Sequence, residues 1–336
     1  MSGTSPIAVL GAGAWGTALA IQFARCPRPV RLWARDPDHV REMTNARENA
    51  RRLPGIDLPE AITPEADLGA ALDGVRDVLI AVPSTAFREL VSAVAETASN
   101  ELRLAWATKG FEPGTGALME HVAGEILGDS VPLAVLTGPT FAAEVGKGLP
   151  TAMTVAGHDV EFIGELADGL HSENFRAYTA DDITGAEVGG AVKNVIAIGA
   201  GVSDGLGFGA NARIALITRG LAEMVRLAEA LGGQRETLMG LAGMGDLVLT
   251  CTDNQSRNRR FGLALAEGLG IDAARSRVGL VEGATAAREV VRVARQLGVE
   301  MPISEQVLAM VDEGLDPKVA AERLMGRTRK TENQGK

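Results

Sequence analysis

The chain has 336 residues, 46% of them hydrophobic, and its 43 acidic against 33 basic side chains leave a formal charge of −10. That length suits two domains better than one small core, no apolar run approaches a membrane span, and the negative balance argues against nucleic acid, so an anionic ligand has to be met by a local cluster of cations. Cys26 and Cys251 lie far apart without metal-ligand spacing, which argues against a disulfide scaffold and a zinc site and fits a reducing cytoplasm; with a first strand expected from Ile7, no signal peptide is expected.

The chain opens with the apolar run Ile7-Ala8-Val9-Leu10, which breaks into Gly11-Ala12-Gly13-Ala14-Trp15-Gly16 and resumes with Thr17-Ala18. This pattern predicts strand, tight turn and helix. Gly11 permits the turn, Gly13 puts no side chain between backbone and a pyrophosphate, and Gly16 lets the helix lie close to the strand, so bare amides at the helix start can hold phosphate oxygens. About twenty residues on, Val30-Arg31-Leu32-Trp33 predicts the second strand, whose end reads the ribose in such folds. Arg35 follows it and offers a planar cation to a 2′-phosphate, which favours NADP(H) and leaves NAD(H) open as a second cofactor. The alternative is an arginine that caps the strand and pairs with Asp36 or Asp38.

Further strands are expected at 77–82, 103–107, 133–136 and 152–155, separated by Ala-rich segments of helical length. Strands without clean alternation, spaced by helices, imply a mainly parallel sheet covered on both faces, a Rossmann-type doubly wound domain over residues 1–180. Three strand ends, Ala81-Val82-Pro83-Ser84-Thr85, Ala107-Thr108-Lys109-Gly110-Phe111 and Leu136-Thr137-Gly138-Pro139-Thr140-Phe141-Ala142, are expected to face one crevice at the carboxyl edge, where open α/β sheets bind ligands.

Beyond Tyr178 the pattern becomes helical, with Asp181-Asp182 as a cap, and predicts an all-helical domain over 181–326 followed by a frayed tail at 327–336. A long amphipathic helix is expected over 212–231: Ile214, Ile217, Leu221, Met224, Val225 and Ala228 form a core stripe, and Arg219, Glu223 and Arg226 occupy another face. Before it, Lys193 is the one lysine in a run of small and apolar residues, with Gly189 and Gly190 one turn earlier on its face. Glycine there costs helix stability, which the close approach of another group would explain; a lysine snorkelling from a packing surface is the alternative. Asp246 stands between glycines and an apolar run, a setting that can hold a carboxylate rigidly near a lysine. Ser256-Arg257-Asn258 offers hydroxyl, guanidinium and amide groups to a phosphate, against a plain solvated basic helix face or a nucleic-acid patch.

In their order and length, Gly-Ala-Gly-Ala-Trp-Gly-Thr-Ala (11–18), Ala-Thr-Lys-Gly (107–110), Thr-Gly-Pro-Thr-Phe-Ala-Ala-Glu-Val (137–145), Lys-Asn-Val-Ile-Ala-Ile-Gly-Ala-Gly (193–201), Ala-Leu-Ile-Thr-Arg-Gly (215–220), Gly-Asp-Leu (245–247) and Ser-Arg-Asn-Arg-Arg-Phe-Gly (256–262) closely resemble bacterial NAD(P)-dependent glycerol-3-phosphate dehydrogenases over nearly the whole chain. The resemblance implies reversible reduction of dihydroxyacetone phosphate to sn-glycerol 3-phosphate, a precursor for phospholipid synthesis. By it Lys193 is the proton acceptor or donor, and Lys109, Gly138, Thr140, Asp246, Ser256, Arg257 and Asn258 join Lys193 in contacting the substrate. Gly11, Gly13, Ala14, Trp15, Gly16, Arg35, Lys109, Ala142, Arg257, Leu280 and Glu282 fall on the cofactor side, with Ala14 standing where many relatives carry serine. No metal is implied. The partner expected is a triose phosphate, with no nucleic acid, no stable membrane insertion, a cytoplasmic location and a homodimer admitted as the assembly. Two rivals share parts of the pattern: a two-domain dehydrogenase of the 3-hydroxyacid or 6-phosphogluconate type, and a non-catalytic dinucleotide sensor.

Overall fold

The computed structural model describes residues 5–26, 28–99 and 101–327; the expected tail lies, from 328 on, outside the described residues. The chain divides into two compact units, Met1–Glu112 with Ala117–Ile183, and Pro113–Gly116 with Thr184–Lys336. The excursion of four residues into the second unit has no counterpart in the sequence reading.

In the first unit, strands and helices alternate: β1 (Ile7–Leu10), α1 (Ala14–Arg25), β2 (Val30–Trp33), α2 (Pro37–Ala46), β3 (Ile62–Glu65), α3 (Leu68–Leu72), β4 (Asp77–Ile80), α4 (Phe87–Thr97), β5 (Arg103–Trp106), α5 (Met119–Leu127), β6 (Leu133–Thr137), α6 (Ala142–Lys147), β7 (Thr151–Gly157), α7 (Val160–Leu170) and β8 (Phe175–Ala180). The eight strands form one sheet in the order β3-β2-β1-β4-β5-β6-β7-β8. All neighbours are parallel except β6 and β7. β1, β4 and β5 are buried along their whole length, as strands covered by helices on both faces must be, which is why the sequence shows apolar runs rather than alternation there. Phe23, Leu19, Leu32, Leu79, Leu136 and Phe162 are among the residues that fill one side of the sheet. The order reverses between β1 and β4, so the glycine turn after β1 opens at a topological switch point.

The second unit contains α8 (Ile183–Gly205), α9 (Gly209–Ala230), α10 (Arg235–Met239), α11 (Asp246–Thr252), α12 (Arg257–Ala266), α13 (Ile271–Val278), α14 (Glu282–Gln296), α15 (Pro302–Asp312) and α16 (Pro317–Met325). Its centre is α8, whose residues from Val188 to Ala200 are nearly all buried. The stripe expected on α9 holds at Ile217, Met224, Val225 and Ala228, but Leu221 is only half-buried and Ile214 is 54% exposed. Glu223, expected on the polar face, is instead buried. It accepts hydrogen bonds from Ile303 N (2.6 Å), Ser304 N (3.1 Å) and Ser304 Oγ (2.9 Å), and so satisfies the orphan amides at the start of α15. No described helix is long and apolar enough to cross a membrane.

Candidate active site

The glycine turn behaves as its spacing requires. Gly11 has φ +121°, and a Cβ on it would sit 2.6 Å from Ala81 O; one on Gly16 would sit 2.0 Å from Gly11 O, so only glycine lets α1 begin against the turn. A Cβ on Gly13 would meet nothing within 4 Å. Its missing side chain leaves open space next to the first amides of α1, where no acidic residue stands in the first turn and no side chain caps the helix. The turn is pinned from behind by Asn49, fully buried, whose Nδ2 donates to Ala12 O (3.0 Å) and Thr17 Oγ1 (2.8 Å) while Oδ1 lies 2.8 Å from His39 Nε2. Trp15 Nε1 is buried without a partner among the described residues. Open space, bare amides and an orphaned donor fit a dinucleotide.

Arg35 is exposed just past β2. Asp36 caps α2 through Asp38 N (3.0 Å) and pairs with Arg51 (2.8 Å), and Asp38 pairs with Arg41 (2.7 Å). Both carboxylates proposed as partners for Arg35 are engaged elsewhere. The three loops leave the carboxyl ends of β4, β5 and β6, which are adjacent and parallel, so they share one edge beside the glycine turn. Thr108 Oγ1 donates to Val82 O (2.8 Å), tying the Lys109 loop to the Pro83 loop. Gly138 has φ +141°, with a Cβ position 3.0 Å from Met153 Cα, and its carbonyl accepts from Thr140 Oγ1 at 3.2 Å, which shapes the turn that leads to Ala142 at the start of α6.

In the second unit Lys193 is 5% exposed and Asp246 1%, and the two form an ion pair. Asp246 is delivered by a π-helical turn, Leu241–Gly245, in which Gly245 N donates to Gly240 O (3.0 Å). Such turns are rare and recur at functional sites. A Cβ on Gly189 would sit 2.4 Å from Ala242 O, so that glycine admits the backbone of the turn against α8. The ammonium therefore does not snorkel; a carboxylate holds it. Thr250 Oγ1 donates to Asp246 O (2.6 Å) and steadies the first turn of α11. Cys251 lies on the same helix, and burial pushes its thiol well up, so no thiolate competes there.

Helices α8 and α12 meet backbone to backbone: a Cβ on Gly262 would be 2.1 Å from Ile198 O, and one on Gly201 2.0 Å from Arg259 O. Asn258 Nδ2 donates to Asn194 Oδ1 (2.9 Å), and Asn258 Oδ1 accepts from Gly283 N (2.9 Å), so one amide joins α8, α12 and the start of α14. Ser256 Oγ caps α12 by accepting from Arg259 N (3.2 Å). Arg257, first in that helix, is exposed, with Nη2 3.9 Å from Glu282 Oε1. Leu280, 53% exposed, precedes Glu282 in the chain. Arg259, by contrast, is buried against Asp204 and serves packing. A cationic helix start beside a buried lysine can bind a phosphate and stabilise negative charge developing on a neighbouring oxygen.

Two profiles match the chain, the NAD-dependent glycerol-3-phosphate dehydrogenase N-terminus over residues 6–163 and the C-terminus over 182–322. The chain belongs to this family. Among its relatives, the glycerol-3-phosphate dehydrogenase [NAD(P)+] of Nitrosococcus oceani is 56% identical over 325 residues, 96% of this chain and 94% of the relative, and that of Shewanella amazonensis is 54% identical over 99% and 98%. The crystal structure of glycerol-3-phosphate dehydrogenase from Coxiella burnetii matches with a TM-score of 0.93 at 48% identity, over 96% of this chain and 99% of that one. A ketopantoate reductase from Ralstonia eutropha, at 19% identity and a TM-score of 0.59, shares the fold alone. Membership in the glycerol-3-phosphate dehydrogenase family makes the chain an oxidoreductase acting on a small molecule, and sets aside the 3-hydroxyacid and sensor readings.

Within this family member, some contributors escape a motif-based reading. Asn194 is signalled only by following Lys193 in the sequence. Asn49 and His39 carry no signal, since nothing in a loop asparagine thirty-two residues after Thr17 announces a bond to it.

Proposed function

We propose that the chain reduces dihydroxyacetone phosphate reversibly to sn-glycerol 3-phosphate with NADP(H) or NAD(H), and that Lys193 is its proton donor and acceptor. The observation that carries this reading is the buried Lys193–Asp246 pair, beside which Asn194 is bridged to the helix that begins with Arg257. When bound, a reduced nicotinamide supplies the hydride. Reduction builds negative charge on the substrate's carbonyl oxygen, and Lys193 Nζ neutralises it by giving up a proton, while Asp246 fixes where the ammonium stands. Arg257 and the amides that open α12 take the phosphate, with Ser256 and Asn258 shaping that helix start rather than offering wholly free groups. On the first unit the amides after Gly13, with Trp15, hold the dinucleotide, Arg35 takes a 2′-phosphate, and Lys109, Gly138 and Thr140 serve the substrate. A supply of glycerol phosphate for phospholipid synthesis in the cytoplasm fits this chemistry.

The test is oxidation of NADPH and of NADH with dihydroxyacetone phosphate and with unphosphorylated dihydroxyacetone, in the wild type and in Arg35→Glu. The reading expects phosphate-dependent turnover, and in the variant a weakening of NADPH well beyond that of NADH, because like charges replace an ion pair. Equal losses for both cofactors remove the selectivity role of Arg35, and equal turnover of both ketones removes the phosphate site.

A further inference from the structure

We propose that Glu289 and Arg292 of α14 are positioning residues for Lys109, acting through the Pro113–Gly116 segment that continues its loop. The inference rests on the substrate role read for Lys109 above. Three residues after Lys109 the chain leaves the first unit, and it returns at Ala117. The neck is closed on the first unit: Glu112 N donates to Ala117 O (2.8 Å), and the Arg88 guanidinium forks onto Glu112 with Nε–Oε1 at 2.6 Å and Nη2–Oε2 at 3.1 Å. The four residues beyond the neck are seated on α14. Gly114 N donates to Glu289 Oε1 (3.1 Å), Arg292 Nη1 donates to Gly114 O, and Arg292 also pairs with Glu289. Both peptide groups of Gly114 are therefore read by charged side chains, and Glu289 is itself only 6% exposed.

The seat has no slack. Gly116 has φ +73°, and a Cβ on it would lie 2.6 Å from Arg292 Nη2 and 2.8 Å from Val293 Cγ2. A surface turn that served only to connect β5 with α5 would need neither a buried carboxylate nor a glycine pressed onto a helix. Pro113 joins neck to seat with a fixed φ, and three residues separate it from Lys109. Gly110, at φ +106°, is the position nearest Lys109 where the loop backbone depends on glycine. The same α14 begins with Glu282, so the helix that seats the segment also carries a residue read onto the cofactor side.

The experiment compares the full-length wild type with Glu289→Ala, Arg292→Ala, Glu289→Gln and the benchmark Lys109→Ala, reading KM for dihydroxyacetone phosphate, kcat, NADPH affinity and amide exchange at Gly114. Glu289→Ala is expected to speed exchange at Gly114 and raise KM about tenfold, with kcat within about threefold and NADPH affinity within about threefold of wild type. Glu289→Gln keeps a carbonyl acceptor for Gly114 N and should recover most of the lost KM. Where Glu289→Ala does not fold, Gly116→Ala, which lifts the segment without removing a buried charge, is read in the same way. Faster exchange at Gly114 with an unchanged KM, while Lys109→Ala raises KM, overturns the positioning role alone. An unchanged KM in Lys109→Ala overturns it together with the substrate role of that lysine.

Discussion

Replacing Gly189 by alanine sets two effects of opposite sign against each other. Helix propensity favours alanine in the interior of α8 by about 1 kcal/mol. Against it, the new Cβ would stand 2.4 Å from Ala242 O, 3.1 Å from Ala242 C and 3.4 Å from Gly243 Cα. An ordinary carbon–oxygen contact is about 3.3 Å or more, so the turn has to retreat by close to an ångström. The obstacle is backbone within a π turn and cannot rotate aside as a long side chain would. Overpacking of this kind costs about 1–3 kcal/mol, which exceeds the propensity gain over most of that range. Asp246 stands four residues after Ala242, so the retreat draws it away from Lys193. Thermal unfolding should show a net loss of stability, and steady-state kinetics a fall in kcat of about tenfold or more, since a misplacement of 1 Å can cost a hundredfold. NADPH affinity should not change, because the glycine turn lies in the other unit. A variant more stable than wild type with kcat intact would show that the close approach at Gly189 has no part in holding the pair.

Arg257→Ala should raise KM for dihydroxyacetone phosphate by about one to two orders of magnitude, the worth of a charged hydrogen bond, and leave any rate with unphosphorylated ketone nearly unchanged; an unaltered KM moves the phosphate site elsewhere. The Glu223 carboxyl is raised from 4.5 to about 7 because burial penalises its charge more than Ile303, Ser304 and Arg226 favour it. Between those values the folded chain keeps a proton that the unfolded chain releases, so this group's contribution falls as pH rises, by up to about 3 kcal/mol, and the loss is complete above pH 7. Glu223→Gln removes that slope: its unfolding midpoint relative to wild type should climb from pH 5 to pH 8, and parallel curves for the two proteins would contradict the assignment.

What could be read from residues alone follows a physical division. The turn at Gly11, Gly13 and Gly16 is legible because each glycine answers a local steric demand, and the strands at β1, β4 and β5 because burial on both faces forces apolar runs. β3 escapes, since Ile62-Thr63-Pro64-Glu65 is an edge strand that tolerates proline and exposes alternate residues. The pairing of Lys193 with Asp246 is suggested by the small residues around each, but the π turn that joins them depends on contacts fifty residues apart in sequence. Glu223 reads as a surface charge because helical spacing cannot reveal that α15 brings two amides and a hydroxyl to meet it. Ser256 and Asn258 were legible as polar groups near a phosphate, yet their bonds to Arg259, Asn194 and Gly283 show them also building the helix start that Arg257 opens.

The central claim is that Lys193 moves the proton in reduction of the triose phosphate, and Lys193→Met tests it most directly, since methionine keeps the length and fills the place of the aliphatic stem while removing the donor. In a variant shown by circular dichroism and NADPH binding to be folded, kcat with dihydroxyacetone phosphate should fall by about a hundredfold to ten-thousandfold with NADPH affinity unchanged. A folded variant that turns over within a few-fold of wild type would contradict the account and make Lys109 the next residue to test as the proton donor.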